Sequence, residues 1–221
     1  MKTRSHKWQL VAMAAAVLAT TGLASVEAAG THTSETPAVA ATGAHNFRTA
    51  MRKLWSDHVF WTREYVVAAI DGPSPAADAA AARLMKNQED IGNAIASYYG
   101  AEAGSKLTSL LKEHIQIAVE LVAAAKAGEQ EKTKAADAKW HQNADTIAAF
   151  LSQANPNWPR QALADAMRMH LETTTAQVLA RLHHEYAKDV ASFDAVYEHI
   201  LQMADVLTDG IVKQFPARFA S

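Results

Sequence analysis

The stretch LTSLLKEHIQIAVELVAAAKAG, residues 107–128, carries apolar side chains three or four residues apart along most of its length. From Leu107 to Leu121 these side chains follow the 3.6-residue period of an amphipathic helix. Gly128 is a residue type that commonly follows the end of a helix. His114 falls on the same apolar stripe. The stretch therefore predicts a helix that places one imidazole in the protein core.

The position of His114 recurs at a fixed interval. His58, His114 and His170 are 56 residues apart, and a second polar series has the same spacing: Asn87, Asn143 and His199. Ten histidines in 221 residues produce one such triplet about once by chance, so the other residues that share the interval are needed as support. Apolar residues and helix breakers do share it: Leu54/Leu110/Ala166, Trp55/Leu111/Met167, Val66/Val122/Val178, Leu84/Trp140/Val196, Ile91/Ile147/Met203, Ile95/Leu151/Leu207, Gly72/Gly128 and Gly100/Pro156.

These patterns predict an all-α fold, a six-helix bundle built from three tandem 56-residue αα-hairpin repeats. Breakers separate most of the helices, at Asp71-Gly72-Pro73, Gly100, Gly128 and Asn155-Pro156, and the fifth helix is expected to start at Trp158-Pro159. The turn between helices five and six has no glycine or proline. The repeat places it near His184, and a position nearer Lys188-Asp189 stays open.

The N-terminus has the features of a secretory signal peptide. Basic residues precede an apolar run from Leu10 to Ala19, which is short for a membrane span. Val26-Glu27-Ala28 then provides a small-x-small cleavage site. We expect residues 1–28 to be the signal, 29–43 a flexible linker, 44–216 the helical domain and 217–221 a tail. This organisation predicts export to the periplasm or the exterior of a bacterium, with no integral membrane segment after cleavage.

Charge and cysteine content exclude several classes of function. The chain has 21 Lys+Arg and 23 Asp+Glu, and loss of Lys2, Arg4, Lys7 and Glu27 with the signal leaves 18 and 22, a net charge near −4. That balance argues against nucleic acid as the partner. The sequence contains no cysteine, which excludes disulfides, thiolate metal sites and iron–sulfur clusters.

The two polar series are predicted to share one level of the bundle. His58 and Asn87 are 14 and 15 residues from Gly72, which corresponds to roughly 21 Å along antiparallel helices. Four imidazoles and two carboxamides at one height suggest a site for a small ligand or for a transition metal, copper or zinc. The candidate ligating residues are His58, His114, His170, His199, Asn87 and Asn143. Supporting residues near that level are Asp90, Asp145, Thr174, Met167 and Met203; the two methionines would favour copper, or a haem held between helices.

Two other interpretations stay open. The layer can be a buried polar network that sets the register of the helices in a structural or protein-interaction domain. An enzyme is the third interpretation and ranks last, because the sequence contains no set of residues with the spacing of a known catalytic motif. We therefore predict no catalytic residue.

The chain also resembles an uncharacterised family of small bacterial helical proteins over about residues 45–218. Some members of this family are labelled glycosyltransferase or acetylglutamate kinase. Both activities normally use an α/β nucleotide-binding framework, which no strand pattern here supports, so the resemblance implies a helical fold and no catalytic residues. The motifs that carry it are Leu54-Trp55-Ser56-Asp57-His58, Trp61-Thr62-Arg63, Asn87-Gln88-Glu89-Asp90-Ile91-Gly92, Tyr98-Tyr99-Gly100, His114-Ile115, Asn155-Pro156-Asn157-Trp158-Pro159 and Gln214-Phe215-Pro216.

Overall fold

The computed structural model describes residues 37–72 and 74–220, so the predicted signal peptide and the start of the linker lie outside the described residues. Within this range the chain is all-helical and contains no strand. None of the helices in these two segments is long and apolar enough to cross a membrane. The helices are α1 (Pro37–Asp71), α2 (Ser74–Tyr99), α3 (Ala101–Lys126), α4 (Gln130–Ala154), α5 (Arg160–Leu182) and α6 (Tyr186–Gln214), followed by a 3₁₀ turn, η1 (Pro216–Arg218).

The six helices form a closed ring. Each helix packs against the next in the chain, and α6 packs against α1. The connections are short, so neighbouring helices run antiparallel. Gly100 alone separates α2 from α3, with a positive φ of 87° that a residue with a Cβ rarely adopts. The α4–α5 contact is the least extensive around the ring.

The last helical connection lies at His184. The His184 amide donates to the Arg181 carbonyl and the next amide, of Glu185, donates to the Ala180 carbonyl, at 3.0 and 2.9 Å. The turn at Gly128 has the same pair of bonds, at 3.1 and 3.0 Å. Both residues have left-handed backbones, with φ of 58° at His184 and 71° at Gly128. The turn position that the sequence left open is therefore the one given by the 56-residue interval.

Three predicted boundaries differ in the structure. The helix α1 begins at Pro37 rather than at residue 44, in an alanine-rich segment with high helix propensity. The helix α5 begins at Arg160, just after the predicted Trp158-Pro159. Phe219, in the segment predicted to be a tail, is 5% exposed because its ring packs on those of Phe47 and Tyr98. The prediction of a tail is therefore wrong at Phe219.

The apolar core is unevenly distributed along the bundle. The larger cluster occupies the half near the α2–α3 and α4–α5 connections and includes Met51, Ile91 and Ile200. The half near the α1–α2, α3–α4 and α5–α6 turns contains a small separate cluster that includes Tyr65 and Val122. The two polar series predicted from the sequence lie between these halves.

A buried ion pair joins three helices near those turns. Asp189 of α6 has no exposed surface and accepts hydrogen bonds from Arg63 of α1 at 2.7 and 3.1 Å and from Gln177 of α5 at 3.2 Å. Burial opposes ionisation of this carboxyl, but the hydrogen bonds from Arg63 and Gln177 outweigh it and lower the pKa of Asp189. Hydrogen bonds therefore join the start of α6 to both neighbouring helices, α1 and α5.

The turn at His184 generates a stability prediction. A left-handed backbone costs a residue with a Cβ about 1 kcal/mol, so His184→Gly should raise the free energy of unfolding by about 0.5–1 kcal/mol. His183→Gly is the matched control, because His183 has an ordinary φ of −87° and should lose stability on becoming glycine. Urea unfolding of the two variants measures both changes. A loss of stability in both would show that His184 is not held in the left-handed region.

Candidate functional site

In each of the three hairpins, one hydrogen bond joins the two helices at the polar level. Asn87 Nδ2 donates to the Leu54 carbonyl at 3.0 Å, and Asn143 Nδ2 donates to the Leu110 carbonyl at 3.2 Å. His199 Nε2 makes the corresponding bond to the Ala166 carbonyl at 2.8 Å. In every case the acceptor is 33 residues earlier in the chain. The three side chains therefore occupy the same place in their hairpins.

The histidines of the first two hairpins have side-chain partners. Gln88 Nε2 donates one hydrogen to the Leu84 carbonyl at 2.8 Å and shares the other between Asn87 Oδ1 at 3.2 Å and His58 Nδ1 at 3.3 Å. An amide nitrogen only donates, so His58 Nδ1 faces it as an acceptor and the ring proton lies on Nε2. His114 Nδ1 lies 2.9 Å from Asn143 Oδ1, which can only accept, so His114 carries its proton on Nδ1. The two rings are thus held as opposite tautomers by their neighbours on α2 and α4.

His170 lies at the centre of the imidazoles. Its ring centroid is 5.7 Å from that of His58, 6.2 Å from that of His114 and 6.5 Å from that of His199. The Nδ1 atom of His170 is buried and has no hydrogen-bond partner within the described part of the chain. The structure therefore brings the four histidines together, while three of them also pair with a group in their own hairpin.

Burial keeps these imidazoles neutral. Burial, together with the nearby His114, lowers the pKa of His58 to about 3. Burial lowers the pKa of His114 to about 4, although the hydrogen bond that His114 donates to Asn143 opposes the shift. Burial and the three surrounding histidines lower the pKa of His170 as well. His58, His114 and His170 are therefore uncharged at neutral pH.

The predicted supporting residues lie in three different places. Met167 and Met203 line a small cavity of about 20 Å³ beside His58, His114 and His170, on the side of the larger core. Thr174 is buried on the other side of the layer. Asp90 forms ion pairs with Arg83 and Lys86, and Asp145 is exposed. Neither carboxylate hydrogen-bonds an imidazole among the residues described.

The arrangement does not match a metal centre. Within residues 37–72 and 74–220, no three or more His, Asp or Glu side chains are grouped as metal ligands. His58 Nδ1 faces the amide nitrogen of Gln88 at 3.3 Å. A metal bound at this layer would need that pair to break. The chemistry that the layer supports best is neutral hydrogen bonding.

A large apolar cavity adjoins the layer. Its volume is about 820 Å³, and it opens to solvent near the α3–α4 and α5–α6 turns. Side chains of α1, α3, α4 and α5 form its wall, and many of them are small. They include Ala118, Val119, Val122, Ala125, Thr133, Thr175 and Val178. Sequence reasoning missed this cavity, although these small residues on inward-facing positions are a recognisable signal.

Two residues that line the cavity, Trp140 and Thr174, each have a buried polar atom without a hydrogen-bond partner among the described residues, and neither atom has surface that faces the open space of the cavity. Trp140, whose ring centroid is 5.2 Å from that of His114, has a buried Nε1 with no acceptor among the described residues. Thr174 is 4% exposed, and its hydroxyl is likewise unpaired there. The neighbouring Thr173, by contrast, donates to the Met169 carbonyl at 2.9 Å. An unpaired buried polar atom costs about 1–3 kcal/mol, so both atoms lower the stability of this region.

Comparisons with models of protein families, with curated proteins and with solved structures found no match to this chain. The resemblance described above therefore stays a prediction.

Neutral buried histidines predict acid sensitivity. Histidines in the unfolded chain have a pKa of about 6.5. Below that pH the unfolded chain therefore binds protons that the buried imidazoles of the folded protein do not bind. The free energy of unfolding should fall from about pH 6.5 downward, by about 1.4 kcal/mol per pH unit for each imidazole that stays neutral. Urea unfolding at pH 7 and pH 5 tests this. His170→Leu should make the dependence shallower, and the exposed His183→Gln should leave it unchanged; a flat profile would contradict the buried neutral layer.

Two leucine substitutions separate the roles of paired and unpaired histidines. His114→Leu leaves Asn143 Oδ1 without its donor and should lower the free energy of unfolding by about 1–3 kcal/mol. His170→Leu removes a ring with an unpaired Nδ1 and should change stability by less than about 1 kcal/mol. Both are measured by urea unfolding at pH 7.5. A larger loss in His170→Leu than in His114→Leu would mean that His170 has a partner, such as a bound metal.

Proposed function

We propose that this is an exported, non-catalytic protein that binds a small, mainly apolar molecule beside its histidine layer. The observation that carries the proposal is the cavity of about 820 Å³, whose wall is mainly apolar and includes a few polar side chains, such as Gln130 and Asp137. Binding cavities for small molecules have volumes of about 300–1,000 Å³, apolar walls and a few polar groups that orient the ligand. This cavity has all three properties.

The energetics of packing support a ligand. Protein interiors are filled to the density of organic crystals, and empty volume costs stability. On one side of the layer the core follows that rule, with a residual cavity of only about 20 Å³. On the other side the small side chains leave the interior unfilled. An apolar ligand would supply the missing contacts.

The histidine layer then has a structural role. Its three equivalent bonds, from Asn87, Asn143 and His199 to carbonyls of the preceding helices, fix the register of each hairpin. We infer that they descend from three tandem 56-residue hairpins, which the matching turns at Gly128 and His184 also support. Copper, zinc or haem at this level has no such support, since His58 Nδ1 faces the amide nitrogen of Gln88.

Export rests on sequence alone. The basic start, the apolar run and the small-x-small motif within residues 1–28 support it. Mass spectrometry of the protein from a bacterial periplasmic extract should find an N-terminus close to Ala29.

A neutral fluorescent probe tests the binding site. N-phenyl-1-naphthylamine is apolar and uncharged, and it should bind the folded protein with a stoichiometry near one and a large rise in fluorescence. Ala118→Trp and Val178→Trp fill the cavity and should each weaken this binding at least tenfold. Val190→Trp is the control, because Val190 is 54% exposed on α6 and should have no effect.

Two results would contradict the proposal. One is the absence of probe binding to the wild-type protein. The other is binding that Ala118→Trp and Val178→Trp leave unchanged while circular dichroism shows both variants to be folded. Two filling positions on different helices are used so that misfolding of one variant does not decide the outcome.

A further inference from the structure

The outer groove between α1 and α6 exposes several large apolar and aromatic side chains. Phe60 of α1 and Tyr186, Val190 and Tyr197 of α6 are each at least 40% exposed, and the ring of Phe193 lies partly buried beside that of Tyr197. Among the described residues, seven large apolar or aromatic side chains are exposed to that degree, and four of the seven belong to this groove. Contiguous apolar surface on a folded protein commonly marks an interaction site.

Two contacts show that both helices contribute to one surface. The Ser56 hydroxyl of α1 donates to the Tyr197 hydroxyl at 3.3 Å, and the Arg63 guanidinium lies 4.8 Å from the centre of the Phe193 ring. Phe60 is one helical turn from Ser56 and one from Arg63, so it lies on α1 between these two contacts. The exposed side chains of the two helices therefore form one continuous groove, which we call the α1–α6 groove.

The spacing along α6 indicates the kind of element that fits the groove. Tyr186, Val190, Phe193 and Tyr197 follow one another at intervals of four, three and four residues. These are the intervals of the apolar seam of a coiled coil, in which the side chains of one helix insert between those of another. The seam extends over roughly 16 Å, or about three helical turns. The groove therefore fits the apolar face of a second helix.

Carboxylates lie on both sides of the groove. Glu64 of α1 is one turn after Phe60, and Asp194 and Glu198 of α6 each follow directly after an aromatic residue of the seam. All three acids are exposed, and none of them forms an ion pair with a basic residue that the structure describes. The apolar seam thus has an acidic border on each helix.

Basic side chains beside the groove are already paired with other acids. These pairs are Arg63–Asp189 at 2.7 Å, Arg181–Asp71 at 2.7 Å, Lys188–Glu185 at 3.0 Å and Lys53–Asp57 at 2.6 Å. A second copy of the chain would set the unpaired carboxylates of the groove against one another, and an anionic lipid surface would repel them. The complement of an apolar seam with an acidic border is a helix that carries lysine or arginine beside its apolar side chains.

We propose that the α1–α6 groove is a docking site for a basic amphipathic helix of a partner protein. The apolar face of that helix packs on Phe60, Val190 and Tyr197, and its basic side chains face the carboxylates on either side. Exposed aromatic side chains of this kind supply much of the binding energy at protein interfaces. None of the residues of the groove lines the large cavity, so this site is separate from the site of the proposed function.

A pair of matched peptides tests the kind of partner. Both are fluorescein-labelled helices of three heptads with leucine at the a and d positions; one has lysine at the e and g positions and the other has glutamate there. Binding of each to the folded protein is measured by fluorescence anisotropy at pH 7.5. We expect the lysine peptide to bind at least tenfold more tightly than the glutamate peptide, with a preference that weakens at 0.5 M NaCl.

Substitutions on the same helix locate the apolar part of the site. Val190→Gln should weaken binding of the lysine peptide at least fivefold. Val206→Gln is the matched control, because Val206 is exposed to a similar degree on α6. It follows Tyr197 by nine residues, which places it about half a turn round the helix from the seam. Val206→Gln should change the affinity less than twofold, and circular dichroism checks that both variants are folded.

A charge reversal tests the acidic border. Asp194→Lys should weaken binding of the lysine peptide at least fivefold. Asp145→Lys makes the same charge change on α4 and should leave the affinity within twofold. Asp145 is also exposed and without an ion pair among the described residues, but no large exposed apolar side chain lies within one turn of it.

Several results would overturn the assignment. Equal affinity of the two peptides, or equal effects of Val190→Gln and Val206→Gln, would show that no basic helix docks in this groove. Self-association in analytical ultracentrifugation that Val190→Gln abolishes would assign the groove to a second copy of the chain. Binding to phosphatidylglycerol vesicles that the same substitution abolishes would assign it to a membrane surface.

Discussion

The structure depends on the need to give hydrogen-bond partners to the polar side chains that lie inside its helical core. Burying an imidazole or a carboxamide is costly unless it forms hydrogen bonds. The hairpins meet this need with one repeated contact, a side chain that donates to a backbone carbonyl 33 residues earlier. A shift of one helix by a single turn would break that bond, so the layer fixes the helices in register. His170 is the exception, and it lies where the hairpins converge.

This layer also divides the interior into two parts with different contents. Large side chains such as Ile91, Ile200 and Trp158 fill one half almost completely. The other half contains the large cavity, whose lining includes many alanine, valine and threonine side chains, and near it the buried pair of Asp189 with Arg63 joins α6 to α1. The register of the helices and the cavity therefore belong to adjacent but different parts of the interior.

Much of the fold could be predicted from the sequence, because helical periodicity and breakers report directly on local structure. The six helices and the common level of the two polar series follow from those signals. The central position of His170 could not be predicted, because the rotation of one hairpin relative to another leaves no mark on the 56-residue interval. The contact of Gln88 with His58 could not be predicted, because the residues 56 and 112 positions later, Ala144 and Ile200, are apolar. The cavity depends on the summed volume of many side chains, and the burial of Phe219 depends on rings far away in sequence.

The most direct test of a neutral structural layer is nitrogen NMR of the histidine rings in the metal-free protein. At pH 6 the account predicts that His58 is neutral with its proton on Nε2 and that His114 is neutral with its proton on Nδ1, as their partners Gln88 and Asn143 require. The exposed His183 serves as an internal reference in the same spectrum. Imidazolium signals from His58 or His114 at that pH, or the opposite tautomers, would contradict the hydrogen-bonded layer on which the rest of the structure depends.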